Sequence, residues 1–429
     1  MDERFDGPSA TSPGAPGELV TAREAAKLLG IKLDSLYAYV SRGLVRSVSG
    51  EGRKARLYLK GDLDRLRARS DAHRGHAPVA AGALRWGEPV LDSAITAIDE
   101  GGPLYRGLPA ARLAADGVPF ESVAELLWTG ALPERVPQWP APAWPLDLKA
   151  FSGLLQGATA PVGVMAALVP FLALEDQARF GAAGGAELER ARRLIRALAA
   201  SFALPAAPRR AREALAAPSI AAAVCVALDL PRRPAARAAI DQALVLCADH
   251  ELNASAFTAR IAASAGCDLY ACAQAALAVV QGPEHGGACD RMEALVAETG
   301  KPERAAATVR DRARRGEALS GFGHRLYPRG DPRGPPLIAA AEALAPRAPG
   351  VRTISALVAA MRQLGHAGPT VDAGLVALSS ALGLPAGSAV GLFALGRSAG
   401  WIAHAMEQRA AGYMLRPRAR YVGPPPVRT

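Results

Sequence analysis

Acid–base side chains occur in four short segments of the sequence, each beside glycines or at the head of an apolar stretch. His324 lies in SGFGHRLYPRGDPR, residues 320–333, where arginines and an aspartate follow it. His250 lies in CADHELNASAFTAR, His285 lies in GPEHGGACDR, and Asp372 opens an apolar run that predicts a helix. Imidazole and carboxylate groups are the usual general acids and bases of enzymes. The set predicts proton transfer, although His285 and Asp372, taken singly, also fit helix-capping roles.

The chain is rich in alanine and leucine, and both residues favour helix formation. We therefore expect helices to position these four segments. The 429-residue chain is 50% hydrophobic and 5% aromatic, and alternating β-branched runs are scarce beyond its first quarter. From about Leu84 the pattern predicts one helical body without a solenoid repeat. It includes a short helix at Pro109–Ala115 and another that begins at a Ser122 cap. The longest apolar run, near Val162–Leu174, contains Pro170 and is too short to cross a bilayer.

A small module precedes this body. Thr21 and Glu24 form a capping-box pattern that opens a helix. Leu33–Val40 predicts a second helix with Leu36, Tyr37 and Val40 facing inward, and a hairpin or wing and a third helix follow. This spacing resembles the small winged helix–turn–helix modules of the MerR and excisionase type.

Basic residues cluster around the second helix and the wing of this module. They would contact DNA phosphates while the second helix enters the major groove. The candidates are Arg42, Arg46, Arg53, Lys54 and Arg56. The alternative is a module that kept this shape for protein–protein or autoregulatory contacts.

Charge and cysteine content narrow the class of protein. The net charge of +10 indicates anionic partners, which include nucleic acids, phosphates and acidic metabolites. Five cysteines, an odd number without a CxxC pair, indicate reduced thiols in the cytoplasm. No Cys/His spacing predicts a metal site, and the acidic, Pro/Gly-rich N-terminus does not fit a signal peptide. Cys289 is interpreted as a small packed thiol, because no base is matched to it as a nucleophile.

The four segments, taken together and in this order, resemble the citrate synthase family. The resemblance includes YRG at 105–107, GRSAGWIAHAMEQ at 396–408 and RPRARYVGP at 416–424, and it covers roughly residues 84–424. It implies a mostly α, citrate synthase-like two-domain helical fold, preceded by the small winged helix-turn-helix domain. The domain assignment is residues 1–17 as a disordered tail, 18–70 as the helix-turn-helix module, 71–84 as a linker, 85–285 with 384–429 as the large domain, and 286–383 as the small domain.

The resemblance implies condensation of acetyl-CoA with oxaloacetate and hydrolysis of the citryl thioester to citrate and free coenzyme A. Asp372 would be the base that removes a proton from the methyl group of the thioester. His285 would donate to the thioester oxygen as a neutral imidazole at a helix start. His324 would polarise and protonate the ketone. Coenzyme A enters as the substrate thioester, so no separate cofactor is expected.

The resemblance also implies a substrate-binding role for the arginines. Oxaloacetate is a ketone flanked by two carboxylates, and arginine binds carboxylates bidentately. By resemblance, Arg333 and Arg397 would bind the carboxylates of oxaloacetate, and His250 would add a hydrogen bond. Arg416 would reach into the site from the partner subunit of a homodimer.

The sequence departs from the family pattern at several positions. Pro328 stands where members often carry a cation for coenzyme A, and Arg325 and Arg329 lie closest to the expected path of the coenzyme A phosphates. Cys289 stands where asparagine is frequent, and Thr370 replaces the asparagine that usually precedes the Val-Asp pair. None of these changes removes a reacting group, so they bear on coenzyme A affinity and rate.

Two other functions stay open at this point. A 2-methylcitrate synthase would use propionyl-CoA, and one extra methylene is worth only about 1–3 kcal/mol of discrimination. A metabolite-sensing regulator would use the synthase fold as a sensor and the N-terminal module to bind DNA. The presence of the base, the histidines and the arginines favours an enzyme.

Overall fold

The chain divides into two compact units, the N-terminal unit of residues 1–92 with 418–429 and the main unit of residues 93–417. The structure, a computed structural model, describes residues 19–29, 31, 33–41, 45–49, 56–60, 62–63, 91–141, 147–155, 157, 160–181, 185–327, 330–419 and 422–423. The predicted tail at 1–17 and linker at 71–84 lie outside these ranges. Within them, no helix is long and apolar enough to cross a membrane.

The described part of the N-terminal unit contains two helices and a three-stranded antiparallel sheet. Its strands are β1 Leu19–Thr21, β2 Ser47–Ser49 and β3 Arg56–Leu59, in the order β1-β3-β2, and its helices are α1 Ala22–Leu29 and α2 Leu33–Ser41. The predicted capping box is present, because the Thr21 amide donates to Glu24 Oε2 at 2.8 Å and the Glu24 amide donates to Thr21 Oγ1 at 3.4 Å. The sequence pattern therefore located the start of α1.

A small apolar core lies between these helices and the sheet. Its buried side chains are Ala25, Leu36, Val45, Tyr58 and Leu63. Tyr37 is 50% exposed, so the prediction that it faces inward is wrong. It follows Leu36 by one residue, which turns its side chain about 100° around the helix and away from the core.

The main unit begins with a second antiparallel sheet and continues as helices. Its strands are β4 Thr96–Asp99, β5 Gly102–Tyr105 and β6 Leu108–Pro109. The helices before His285 are α3 Ala110–Ala115, α4 Phe120–Thr129, α5 Leu148–Leu154, α6 Pro161–Glu175, α7 Gly185–Ser201, α8 Pro208–Leu215, α9 Ile220–Ala227, α10 Pro234–Cys247, α11 Ala254–Ser264 and α12 Leu269–Val280. Those after it are α13 Gly287–Thr299, a 3₁₀ turn Pro302–Arg304, α14 Ala305–Arg315, α15 Gly334–Leu344, α16 Pro349–Gln363, α17 Val371–Leu382 and α18 Ser388–Ala411. This content confirms the expected mostly α fold.

The predicted Ser122 cap is wrong, because α4 begins one turn earlier. Pro119 is the N-cap residue, and Ser122 lies inside the helix with its amide bonded to the Pro119 carbonyl. The backbone amide of Phe120, which has no partner within the helix, donates to Asp241 Oδ1 from α10 at 3.2 Å. A side chain from a distant helix thus supplies the cap that the local sequence pattern assigned to serine.

The helix α18 is the centre of the main unit, and almost all of its residues are buried. It packs against α4, α6, α7, α10, α11, α12 and α17. Glycines permit this close approach. A Cβ at Gly391 would lie 2.8 Å from the Phe202 ring, and one at Gly396 would lie 2.8 Å from the Leu244 carbonyl oxygen. The side chains on α18 are therefore held in a tightly packed frame.

The helices α13–α17, which precede α18 in the chain, pack on one another, and α15 and α17 are in close contact. A Cβ at Gly374 of α17 would lie 2.8 Å from Leu337 Cβ and 2.9 Å from the Gly334 carbonyl oxygen. The two helices approach closely because glycine leaves this space open. Their N-termini, which carry Arg333 and Asp372, are brought together as a result. The assignment of residues 286–383 to a separate small domain stays a prediction.

We predict that Gly374→Ala lowers the free energy of unfolding by about 1–3 kcal/mol, because the added methyl group overpacks the contact between α15 and α17. Urea titration followed by circular dichroism measures the change. Gly153→Ala is the matched control, because a Cβ at this position in α5 would meet no atom within 4 Å. The control should equal the parent or gain up to about 1 kcal/mol. Equal midpoints for the two variants would contradict the close packing.

Candidate active site

The residues with predicted chemical roles lie at helix ends that meet beside α18. His250 follows α10, His285 precedes α13, and His324 lies in the loop between α14 and α15. Asp372 is the second residue of α17, so it lies in the first helical turn and not at the N-cap. Helix ends offer unpaired backbone groups and exposed side chains, which makes them suitable places for polar chemistry inside an apolar fold.

The turn that carries His250 is fixed by Tyr105 and Asp249. The buried Tyr105 hydroxyl lies 3.0 Å from the Val245 carbonyl oxygen at the end of α10, and the Asp249 amide donates to it at 3.3 Å. The Asp249 carboxylate lies 3.3 Å from His404 Nε2 on α18, and both side chains are fully buried. These contacts tie the turn to β5 and to α18, so His250 has little freedom to move.

His250, His324 and Tyr327 form a cluster of rings. His250 Nε2 lies 2.7 Å from the Tyr327 hydroxyl oxygen. The ring centroids of His250 and His324 are 5.3 Å apart, and those of His324 and Tyr327 are 4.9 Å apart. Burial, reinforced by the positive charges of Arg333 and Arg397, lowers the pKa of His250 well below its usual value. His250 is therefore neutral at pH 7.

His324 is held in one tautomer by its own loop. The amide of Leu326 donates to His324 Nδ1 at 3.1 Å, so the proton of the neutral ring is on Nε2. Burial and the nearby Arg333 lower the pKa of His324, while the carboxylates of Asp331 and Asp372 oppose that shift. The result is a neutral imidazole with an N–H group available for a substrate.

Arg333 and Asp331 form a buried ion pair that the sequence did not predict. Arg333 Nε and Nη2 donate to the two carboxylate oxygens of Asp331 at 2.9 and 2.8 Å. Asp331 Oδ2 also accepts the amide of Val371, the first residue of α17, at 3.0 Å. Burial disfavours the charged carboxylate, but Arg333 more than offsets this effect and keeps the pKa of Asp331 below its usual value. The pair thus connects the loop after His324 to the start of the helix that bears Asp372.

Arg397 lies in the middle of α18 and is 2% exposed. Its Nε donates to the Cys247 carbonyl oxygen at 2.7 Å, and its Cζ lies 4.7 Å from the centre of the Phe393 ring. Among the described residues, no partner is found for its two terminal amino groups. These groups can therefore bind an oxyanion.

His285 contacts Ser255 and the Phe393 ring. Its Nε2 lies 2.8 Å from Ser255 Oγ, which also accepts the indole N–H of Trp401 at 3.0 Å. The ring packs edge-on against Phe393 with centroids 5.7 Å apart. Burial, reinforced by the positive charge of Arg397, lowers the pKa of His285 to about 4. The residue is neutral at pH 7, as the role assigned to it requires.

Asp372 receives one hydrogen bond on each carboxylate oxygen. The Cys289 thiol donates to Oδ1 at 3.3 Å, and the Thr370 hydroxyl donates to Oδ2 at 3.0 Å. Cys289 is 1% exposed, and burial raises the pKa of its thiol well above its usual value. The thiol therefore remains protonated, and its contact with Asp372 is one that the interpretation as a packed thiol did not include.

A cleft of about 840 Å³ reaches the ring cluster from the side of β4. Tyr327 forms part of its wall, together with residues of β4 and of the loop that contains His324. Its lining residues are Thr96, Ala97, Ile98, Asp99, Glu100, Glu251, Leu326, Tyr327 and Gly330.

The other predicted residues lie elsewhere or outside the described chain. Arg416 is exposed and follows α18, and Arg325 is exposed beside His324. Arg56 is exposed on β3, whereas Arg46 is paired with Asp62, with Nε and Oδ2 3.0 Å apart. Arg42, Arg53, Lys54 and Arg329 lie outside the described residues.

Sequence reasoning missed Tyr327, Asp331 and Ser255, which contact His250, Arg333 and His285. Asp331 and Tyr327 stand inside the segment that drew attention first, and their polar side chains beside a histidine and an arginine were the available signal. Ser255 had no such signal, because a serine in an alanine-rich helix is common. Within the described ranges, no group of three or more His, Cys, Asp or Glu side chains could hold a metal ion.

Comparison with known proteins finds similar sequences among enzymes that are named citrate synthases or 2-methylcitrate synthases. Residues 83–418 match the family model described as citrate synthase, C-terminal domain. A citrate synthase of Mycolicibacterium smegmatis is 30% identical over 334 residues, which cover 75% of this chain and 89% of that protein. A 2-methylcitrate synthase of Mycobacterium tuberculosis is 31% identical over 335 residues, which cover 74% of this chain and 84% of that protein.

A solved structure agrees with these matches. The ternary complex of carboxymethyl coenzyme A and oxaloacetate with the citrate synthase of Thermoplasma acidophilum superposes with a TM-score of 0.70 at 26% identity, over 80% of this chain and 96% of that chain. The expected citrate synthase fold of the helical body is thereby confirmed. With a family model that matches most of its length and relatives of this similarity, the chain belongs to the citrate synthase family.

Proposed function

We propose that this chain is a citrate synthase, an acyltransferase that condenses acetyl-CoA with oxaloacetate and hydrolyses the citryl thioester to citrate and coenzyme A. The observation that carries the proposal is the arrangement of Asp372 with two neutral imidazoles, His285 and His324, beside the buried Arg333 and Arg397. A carboxylate base, two hydrogen-bond donors and an oxyanion-binding pair are what this condensation needs. Family membership and relatives named as citrate synthases support it.

In the first step, Asp372 takes a proton from the thioester methyl group while His285 donates a hydrogen bond to the thioester oxygen. The donor atom would be His285 Nδ1, because Nε2 faces Ser255. Ser255 has a single hydroxyl proton, and in the structure it donates that proton to Asn253 Oδ1 at 2.7 Å. Donation from Nδ1 therefore requires the Ser255 hydroxyl to turn from Asn253 to His285 Nε2 when the thioester binds.

In the second step, the enol carbon attacks the ketone of the keto acid, and His324 supplies a proton to the ketone oxygen. Its Nε2 carries that proton, because Nδ1 accepts the Leu326 amide. A low pKa makes the imidazole a reluctant base and keeps it ready as a donor. Water then attacks the citryl thioester, the carbon–sulfur bond breaks, and the thiol of coenzyme A leaves with a proton.

The keto acid would be held by Arg397, by Arg333 and by His250. Arg397 has its terminal amino groups available, whereas Arg333 shares its charge with Asp331. The charge of Arg397 is balanced by Asp249 and that of Arg333 by Asp331, so one chain offers no excess of positive charge for a dicarboxylate. A further cation from a second copy of the chain, Arg416 in the exposed segment after α18, would correct this balance. Arg325 and Arg329 are proposed for the coenzyme A phosphates.

Propionyl-CoA is a second candidate thioester, because a relative of similar identity is a 2-methylcitrate synthase. Thiol release from acetyl-CoA and from propionyl-CoA, each with oxaloacetate, distinguishes the two. We expect a higher kcat/KM for acetyl-CoA.

Asp372→Asn should reduce thiol release by at least about 10²-fold, because an amide cannot accept the methyl proton. Oxaloacetate binding, followed by calorimetry, should stay close to that of the parent, because the carboxylate acts on the thioester. Asp311→Asn, an exposed change on α14, is the control and should keep full activity. Turnover of Asp372→Asn near the parent value would show that another group is the base.

Mixing variants tests whether Arg416 acts across a dimer. Arg416→Ala and Asp372→Asn should each be inactive alone, but refolding them together in equal amounts should restore about a quarter of parent activity, because half of the symmetric dimers then hold one complete site of two. Arg418→Ala, an exposed neighbour, is the control and should be active alone. Failure of the mixture to gain activity, with dimers present in sedimentation, would contradict a shared site.

For the N-terminal unit we propose DNA binding through a MerR-like helix–turn–helix, supported by two helices followed by an antiparallel hairpin and by the exposed Arg56. Deletion of residues 1–75 should leave thiol release intact, because every residue assigned to the reaction lies at Tyr105 or later. The full chain should bind DNA with a log–log salt slope of roughly −0.9 for each phosphate contacted. Arg56→Ala should reduce the slope, and Arg23→Ala on α1 should not. A gel shift at low salt with no retarded DNA would leave a protein-interaction role for the unit.

A further inference from the structure

Two of the positions at which the sequence departs from the family pattern contact the same side chain. Cys289 and Thr370 are the two positions at which the resemblance led us to expect asparagine, and both donate to Asp372, one to each carboxylate oxygen. They come from different elements, since Cys289 is the third residue of α13 and Thr370 is the N-cap residue of α17. The pair of departures is therefore a single feature of the surroundings of the base.

The contact of Cys289 is directed and not a result of general packing. The side chain is 1% exposed in an otherwise apolar core, yet its sulfur faces Asp372 Oδ1 at 3.3 Å. Because burial raises the pKa of the thiol, it keeps its proton and acts as a donor. For the same reason it is neither a nucleophile nor a metal ligand.

A thiol is a weak hydrogen-bond donor, and this weakness matters next to a base. Each hydrogen bond to a carboxylate stabilises its charged form and makes it a poorer proton acceptor. An amide or hydroxyl at position 289 would orient Asp372 but would also lower its basicity. The thiol offers orientation at a smaller loss of basicity, because S–H bonds to oxygen are weaker than O–H or N–H bonds.

The other groups around Asp372 do not replace this contact. His324 from the preceding loop and Cys247 from α10 interact with its charge at longer range. The Arg333–Asp331 pair reaches α17 through the amide of Val371 and leaves the Asp372 carboxylate to its two donors. In the described residues, the rotation of the carboxylate is thus controlled by Cys289 and Thr370.

We propose that Cys289 and Thr370 are positioning residues that fix the plane of the Asp372 carboxylate, and that the weak thiol donor preserves its strength as a base. The role of Asp372 as the base belongs to the function proposed above, and this inference rests on it. The side chains act through Asp372 and do not contact the substrate.

Cys289→Ser and Cys289→Ala test the proposal because they change the donor in opposite directions. The hydroxyl of Ser is a stronger donor, so the acid limb of the kcat–pH profile should move to lower pH. Ala removes the donor, so the limb should move to higher pH, and kcat should fall by about tenfold or more, since a misplaced reacting group costs up to about 10²-fold. The KM for oxaloacetate should be unchanged in both. Shifts in the same direction, or no shift, would overturn the proposal.

Thr370→Val and Thr370→Ser provide the matched test of the second donor. Val removes the hydroxyl at similar volume and should lower kcat with little change in the KM for oxaloacetate. Ser retains the hydroxyl and should restore most of the parent kcat. Equal activities of the Val and Ser variants would show that the hydroxyl has no positioning role.

An infrared measurement separates failure of this inference from failure of the proposed function. The S–H stretching band of Cys289, assigned from the difference between the parent and Cys289→Ala, should move towards the frequency of an unbonded thiol in Asp372→Leu, which has no acceptor oxygen. This result does not depend on turnover. If the parent releases no thiol from any thioester but the band moves, the hydrogen bond stands and the function is wrong. If the parent is active and the band does not move, the inference is wrong and the function stands.

Discussion

The buried pair of Arg333 and Asp331 is the interaction on which the arrangement of the site depends. Its carboxylate takes the guanidinium on one side and the first amide of α17 on the other, so the loop after His324 and the helix of Asp372 share one anchor. The guanidinium also lies 5.8 Å from the centre of the Tyr327 ring. Removal of one partner from a buried ion pair costs about 3–5 kcal/mol, because the other charge is left uncompensated. The anchor is thus strong enough to define the relative positions of an acid, a base and a cation.

The buried arginines also help to keep the histidines of the site neutral. Burial is the first cause of the low pKa of His250, His285 and His324, and the buried arginines are the next. The arginines that would bind a keto acid therefore also keep the imidazoles uncharged. Substrate binding and donor chemistry are coupled through electrostatics, and neither could be changed without the other.

The sequence predicted those parts of the fold and of the site that are determined by neighbouring residues. The capping box of Thr21 and Glu24, the helix opened near Asp372 and the alternation of helices with Pro/Gly breaks depend on neighbouring residues and were predicted. The prediction of a Ser122 cap was wrong because Asp241, remote in the sequence, accepts the Phe120 amide at the start of the helix. Tyr37 was placed inside because its residue type is apolar, although its helical position faces outward.

Contacts that depend on tertiary approach were not predictable in this way. The bond between His250 and Tyr327 joins segments 77 residues apart, and the bond between Cys289 and Asp372 joins segments 83 residues apart. The hydrophobic periodicity of a sequence gives no information about contacts between segments so far apart. The resemblance of the motifs to a family indicated the roles of His285, Arg397 and Asp372. The residues that contact these side chains could be identified only once the structure showed where the helix ends lie.

The regular spacing along α18 has a consequence for how the chain can change in length. Phe393, Arg397 and Trp401 are four residues apart, so they follow one another at intervals of about 6 Å along one side of the helix. Each serves a different partner, since Phe393 packs on His285, Arg397 bonds to the end of α10, and Trp401 bonds to Ser255. One residue inserted among them would turn the later partners by about 100° and displace them by about 1.5 Å. An insertion within α18 would therefore disturb all the later contacts, whereas a residue added in a loop would leave the spacing of these three side chains unchanged.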